Sequence, residues 1–119
     1  MKMKAAFALC CLACGSSIVV AVNQEFSLQQ GQTAEVAGFT ITFRGVPNDS
    51  RCPIGVFCIA AGNAEVQLVV DSVITLNTNH VPESATLGSY DLQLIELTPH
   101  PDRTGVHEPY RARLRLSTH

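Results

Sequence analysis

The residues with chemistry to offer fall in two stretches. The first runs Asn48-Asp49-Ser50-Arg51-Cys52-Pro53 and ends its apolar continuation at Cys58. The second holds His100, Asp102, His107 and Glu108. Two thiols at C-x5-C spacing suit a structural disulfide better than a redox dithiol, which takes C-x-x-C, and outside the uncharged N-terminal run that holds Cys10, Cys11 and Cys14 no second pair is at hand to complete a four-thiolate zinc site. Closing so short a loop contributes roughly 2–2.5 kcal/mol on the chain-entropy model. Imidazole with carboxylate suits zinc or copper. Yet the histidines lie at no tight ligand spacing, and loop histidines beside Pro and Asp are ordinarily solvated. Ser50, Asp49 and a histidine make a hydrolytic triad on paper only, without a G-x-S-x-G turn to expose the serine. The expectation is therefore no catalysis, no metal and no cofactor.

Asp49-Ser50-Arg51 has two readings. Asp and Ser favour turns because their side chains bond nearby backbone N–H groups, and Arg51 can pair with Asp49 or with a carbonyl of the disulfide loop. Alternatively Asp49, Ser50, Arg51 and Pro53 form a rigid recognition loop. Asn48-Asp49-Ser50 is also a glycosylation sequon, of consequence only in a host that uses it.

Strands must position these groups. Phe39-Thr40-Ile41-Thr42-Phe43 alternates strictly, with Phe39, Ile41 and Phe43 on one face. Ala64 to Asp71 does the same through Val66, Leu68 and Val70, and Tyr110 to Leu116 through Ala112, Leu114 and Leu116. Tyr90 to Leu97 is apolar enough for a strand, but its phase slips at Leu94-Ile95, which predicts a bulge with Leu92 inward. Weaker strands are Phe26–Leu28, Thr33–Ala37 and Val73–Leu76. Turns are expected at Gln30-Gly31-Gln32, Gly38, Pro47-Asn48-Asp49, Gly62-Asn63, Gly88-Ser89 and from Pro99 to Gly105. At most one helical turn fits Ile54–Ala61. The stripe Arg111, Arg113, Arg115 reads as charge on the wet face of a terminal edge strand, with Asp91 and Gln93 as cross-strand partners, rather than as an anion site. Strands at this spacing predict an antiparallel β-sandwich of about seven or eight short strands.

The N-terminus reads as an export signal. Lys2 and Lys4 precede an uncharged run from Ala5 to Val22, interrupted by Gly15-Ser16-Ser17. Two processing sites are open. Small residues at Val19 and Ala21 fit cleavage after Ala21, giving a signal peptide over residues 1–21 and one domain over 22–119. Leu12-Ala13-Cys14-Gly15 also resembles a lipobox, which would make Cys14 the lipidation site and the protein a membrane-anchored lipoprotein. With either cleavage, or with the run retained as an anchor, the folded part is expected outside the cytoplasm, periplasmic or secreted, where the surviving pair Cys52 and Cys58 is expected to be oxidised.

Length and composition agree. A chain of 119 residues holds one domain at most. Its net charge of −2, with no basic run, excludes nucleic acid as a partner. Aromatics at 6% and the absence of Trp argue against stacking platforms for sugars or bases. Scattered apolar residues and a charged fraction of only 15% argue against disorder.

The segment from Asn48 to Ala64 resembles the D-S-R-C-P-x4-C-x-W-A-G-x-A signature of a family of small uncharacterised bacterial secreted proteins and lipoproteins. Gln30-Gly31-Gln32-Thr33, Leu97-Thr98-Pro99-His100-Pro101 and Tyr110-Arg111-Ala112-Arg113-Leu114 resemble its flanks, so the likeness covers about residues 25–117. Ala60 stands where the family carries Trp, which leaves room for a shallow cavity if that Trp packs over the disulfide. The resemblance implies an envelope location and an all-β fold, and no known activity.

The function expected is that of a non-catalytic envelope module that binds an unidentified protein or envelope component, or serves structure. Contact with the membrane is expected only through a lipid anchor. The rival is an inhibitor-like module that inserts the Cys52–Cys58 loop into a protease cleft. Ile54, Val56 and Phe57 discriminate: turned inward they favour a structural plug, turned outward a binding or inhibitory loop.

Overall fold

Period-two alternation becomes nine strands in the computed structural model, which describes residues 17–106 and 108–118. They are β1 (Ser17–Val20), β2 (Glu25–Gln29), β3 (Thr33–Val36), β4 (Phe39–Asp49), β5 (Ala64–Val70), β6 (Ser72–Asn77), β7 (Ser84–Leu87), β8 (Tyr90–Thr98) and β9 (Arg111–Thr118). One sheet has the order β1-β3-β4-β5-β6 and the other β2-β9-β8-β7. Every pairing is antiparallel except that of β1 with β3. No helix occurs among the described residues, and Ile54–Ala61 forms only a tight turn closed by the Val56 N–H on the Pro53 carbonyl (3.2 Å).

Both inner faces feed one apolar core. Ile41, Phe43, Val66, Leu68, Leu92, Leu114 and Leu116 are fully buried and Val70 nearly so, as the alternation requires. Phe39 is only half-buried. It packs at the margin of the core, edge-on to Tyr90 of the opposite sheet with ring centroids 5.9 Å apart. The phase slip at Leu94-Ile95 is a real bulge, since the β8–β9 register shifts between Leu94 and Glu96.

Three expectations need correction. Pro47-Asn48-Asp49 is not a turn. β4 continues through it by irregular register, which accommodates a residue with no N–H to donate, and pairing resumes at Asn48↔Glu65 and Asp49↔Ala64. β9 is not an edge strand, because β2 from the N-terminal half pairs along its free side. The arginine stripe therefore protects no edge. Arg113 pairs with Glu96 (2.9 Å) and Glu25 (3.6 Å), and Arg115 donates to Gln93 (3.1 Å), across neighbouring strands on the wet face. β7 has too few large apolar residues to announce itself, and it forms only as the partner of β8. In the full chain Ser17–Val20, within the stretch given to the signal peptide, pairs in register along β3, with Val20 packed against the core. Residues 1–16, including Cys14, lie outside the described residues.

Candidate functional site

β4 ends at Asp49 and β5 begins at Ala64, so the connection between them is a 50–63 loop at one end of the two-sheet body. Its base is closed by a short ladder. The Ser50 N–H donates to the Asn63 carbonyl (2.7 Å), and the Asn63 N–H donates back to Ser50 Oγ (3.0 Å). The Cys52 N–H donates to the Ala61 carbonyl (3.1 Å). Asn63 then ties this base to the β6–β7 connection, donating from Nδ2 to Asn77 Oδ1 (2.9 Å) and accepting the Asn79 N–H on Oδ1 (2.8 Å). The closure demands glycine at position 62. Its φ is +76°, and a Cβ there would sit 1.9 Å from the Ser50 carbonyl oxygen.

Arg51 turns inward from this base and is 7% exposed. Its guanidinium donates from Nε to Asp49 Oδ1 (2.9 Å) and from Nη2 to Asp49 Oδ2 (2.8 Å), the two-pronged geometry that suits a planar fork. The same group reaches the Leu97 carbonyl through Nη1 (2.6 Å) and the Pro99 carbonyl through Nη2 (2.8 Å). Tyr110 donates its hydroxyl to Asp49 Oδ2 (2.8 Å). Since β4 belongs to one sheet and β8 to the other, this knot clamps the two sheets together beneath the loop. Burial by itself would push the Asp49 carboxyl up, but hydrogen bonds from Arg51 and Tyr110 outweigh it and hold the group below its ordinary range. Burial and the Asp49 carboxylate both push the Tyr110 hydroxyl up.

Above the knot, Cys52 and Cys58 form the disulfide, with Cα atoms 5.9 Å apart. The turn it closes is braced from outside. The Ile54 N–H donates to the Pro101 carbonyl (2.8 Å), and Arg103 donates to the Gly55 carbonyl (3.2 Å). Its apolar side chains point into solvent. Phe57 is 95% exposed, Ile54 65% and Val56 37%, so the discriminating residues turn outward, and Ile59 just past the bridge is fully exposed. Beside the loop opens a cleft of about 460 Å³, bordered by Cys52, Ala61, Asn79, Glu83, Leu94 and His100. It meets the disulfide at Cys52, and Ala60 is not among the residues that line it.

The candidate residues are thus divided. Asp49 and Arg51 are committed to the interior and Ser50 to the loop base, while half-buried Pro53 opens the exposed turn. The connection itself begins only at Ser50, because β4 runs on through Asp49. His100 borders the cleft, Asp102 closes a turn with Thr104 and Gly105, Glu108 is exposed, and His107 lies outside the described residues. Among the described residues no three His, Cys, Asp or Glu side chains converge as metal ligands. Sequence reasoning missed Tyr110 and the carbonyls of Leu97 and Pro99. They lie 46 to 61 residues from their partners, so only the fold brings them together. No protein-family model, curated protein or solved structure matches the chain.

Proposed function

We propose that this is an exported, non-catalytic module of the cell envelope, a β-sandwich that offers its disulfide-closed loop to another envelope component. One observation carries the reading: Phe57 and Ile59 stand almost wholly in solvent on a loop whose base and bridge hold it in place. Exposed apolar side chains grouped on a rigid loop mark contact sites, and prior rigidity lowers the entropy cost of binding. The reading in which Asp49 and Arg51 do the recognising has less support, because both side chains are engaged within the protein. The disulfide fits an oxidising compartment, and the uncharged N-terminal run fits export.

A second reading has one supporting feature. A convex turn closed by a short disulfide, entered through Pro53 and braced by Pro101 and Arg103, is the shape a protease inhibitor presents.

The test is capture from an envelope extract with the wild-type protein and with a Phe57→Ser/Ile59→Ser double variant. Because neither side chain packs inside, the variant should melt within a degree or two of wild type. It should nevertheless lose most of the captured material. Equal capture by both proteins would dismiss the loop as the contact. Saturable protection of a protease, lost in the same variant, would select the inhibitor reading.

A further inference from the structure

Among the described residues the two sheets end in four edge strands, β1 and β6 in one sheet and β2 and β7 in the other. Three of the four are blunted. β1 and β7 are four residues each. β2 opens with Glu25, and its Gln29 N–H is capped by the Gln32 side chain (2.7 Å). β6 is six residues long, Ser72–Asn77, with no charge and no proline. Val73, Ile74 and Thr75 in succession are β-branched, and Val73 is 48% exposed. Shortness, charge and proline are the ordinary guards against edge-to-edge pairing, and β6 has none of them.

Two bonds show which backbone groups β6 leaves open. The Thr78 N–H donates to the Ala64 carbonyl (3.0 Å), in register with the β5–β6 pairing, so the even-numbered residues of β6 turn their N–H and C=O groups to β5. The Asn77 N–H points the other way and donates to the Pro82 carbonyl (2.9 Å), which the Asn77 side chain also reaches (3.1 Å). The N–H and C=O groups of Val73 and Thr75 therefore face out from the sheet, where no strand lies among the described residues. Pro82 closes the same edge at Asn77.

The open stretch is complementary to itself. About a twofold axis through Ile74, Val73 of each copy stands opposite Thr75 of the other, and all four open groups of each strand are paired in one antiparallel register. The neighbouring registers satisfy fewer. Centring on Val73 sets Thr75 against Asp71, which lies in the turn at φ +70°. Centring on Thr75 sets Val73 against Asn77, whose N–H is already taken. Because β6 is uncharged, no like charges of the strand meet across the axis. Ile74, half-buried at the margin of the core, meets its own counterpart there.

We propose that the protein pairs with a second copy of itself through β6, joining two five-stranded sheets into one continuous sheet. The pairing does not depend on what the disulfide loop binds. β6 runs toward the loop end, where Asn77 meets Asn63, so antiparallel pairing points the two loops in opposite directions. With the loop as the contact element, the pair carries two contact sites and can bridge two envelope components.

Sedimentation velocity over a range of concentrations, on the wild-type, Thr75→Pro and Val73→Lys proteins, tests the pairing. Thr75→Pro removes a donor that points away from β5, and Val73→Lys brings two ammonium groups near each other across the axis. Neither touches a bond between β5 and β6. The wild-type protein should sediment as a dimer that dissociates on dilution, and both variants as monomers with wild-type circular dichroism. If Thr75→Pro fails to fold, Val73→Lys alone carries the comparison. Amide exchange adds the register: Val73 and Thr75 should exchange severalfold more slowly in concentrated than in dilute wild-type protein, while Ile74 and Leu76 stay protected in both. A wild-type protein that remains monomeric when concentrated, a dimer that folded Val73→Lys leaves intact, open-ended larger species, or protection that gathers on the disulfide loop instead would each overturn the proposal.

Discussion

Arg51 and Asp49 sit two residues apart and close a two-pronged ion pair, Nε to Oδ1 at 2.9 Å and Nη2 to Oδ2 at 2.8 Å. The pair is nearly sealed from solvent, with the two side chains 6% and 10% exposed. Its remaining bonds, to Leu97, Pro99 and Tyr110, make it the clamp between the sheets at the loop end. The motif that looks most like a recognition signal in the sequence is thus the support on which the exposed turn stands.

Arg51→Ala should be among the most damaging single changes in the protein. It strands the Asp49 carboxylate and two carbonyls together, for which about 3–5 kcal/mol is the usual cost of breaking a buried pair. Arg51→Lys should recover only part of this, because an ammonium cannot reproduce the planar fork. Chemical denaturation of the variants, read as the shift in midpoint, measures both effects.

Stability should fall at both ends of the pH scale, for opposite reasons. Asp49 has its pKa lowered on folding from an ordinary value of 3.8, so its contribution is present above that value and is lost as the pH drops through the folded pKa. Tyr110 has its pKa raised from 10.0, so its contribution is present below that value and is lost as the pH rises through the folded pKa. In thermal melts across pH, Asp49→Asn should flatten the acid limb and Tyr110→Phe the alkaline limb. An unchanged acid limb in Asp49→Asn would show that other carboxylates govern acid unfolding.

Gly62→Ala should destabilise far beyond the usual exchange of a surface glycine. The new methyl group would meet the Ser50 carbonyl, and the backbone at φ +76° disfavours any side chain. Gly88→Ala, also at positive φ but with open space around it, serves as the control. The difference between the two melting temperatures isolates the steric part.

Removing the bridge by Cys52→Ser/Cys58→Ser should lower stability by about 2 kcal/mol on the chain-entropy model. The knot below it should remain formed, since the Arg51 bonds do not pass through either sulfur. Native mass of the wild-type protein should show no free thiol at Cys52 or Cys58. A loss of loop binding with the sheets intact would show that the bridge serves the exposed turn more than the core.

The sequence by itself determined the all-β class, the inward face of the strong strands, the β8 bulge and the cysteine pair. Each of these is local: alternation at period two fixes which side chains share a face, and a phase slip marks the bulge within a few residues. Only the tertiary structure decided the role of Arg51. Its partners Leu97, Pro99 and Tyr110 carry no local mark, and the fold must bring β8 and the entry to β9 beneath the end of β4 before the guanidinium can be satisfied. The same holds for β9, whose arginines look like edge protection until β2 arrives beside it. It holds also for Phe57 and Ile59. An apolar run of that kind ordinarily signals burial, but the Ser50–Asn63 ladder and the buried Arg51 leave the turn above them no interior to fill.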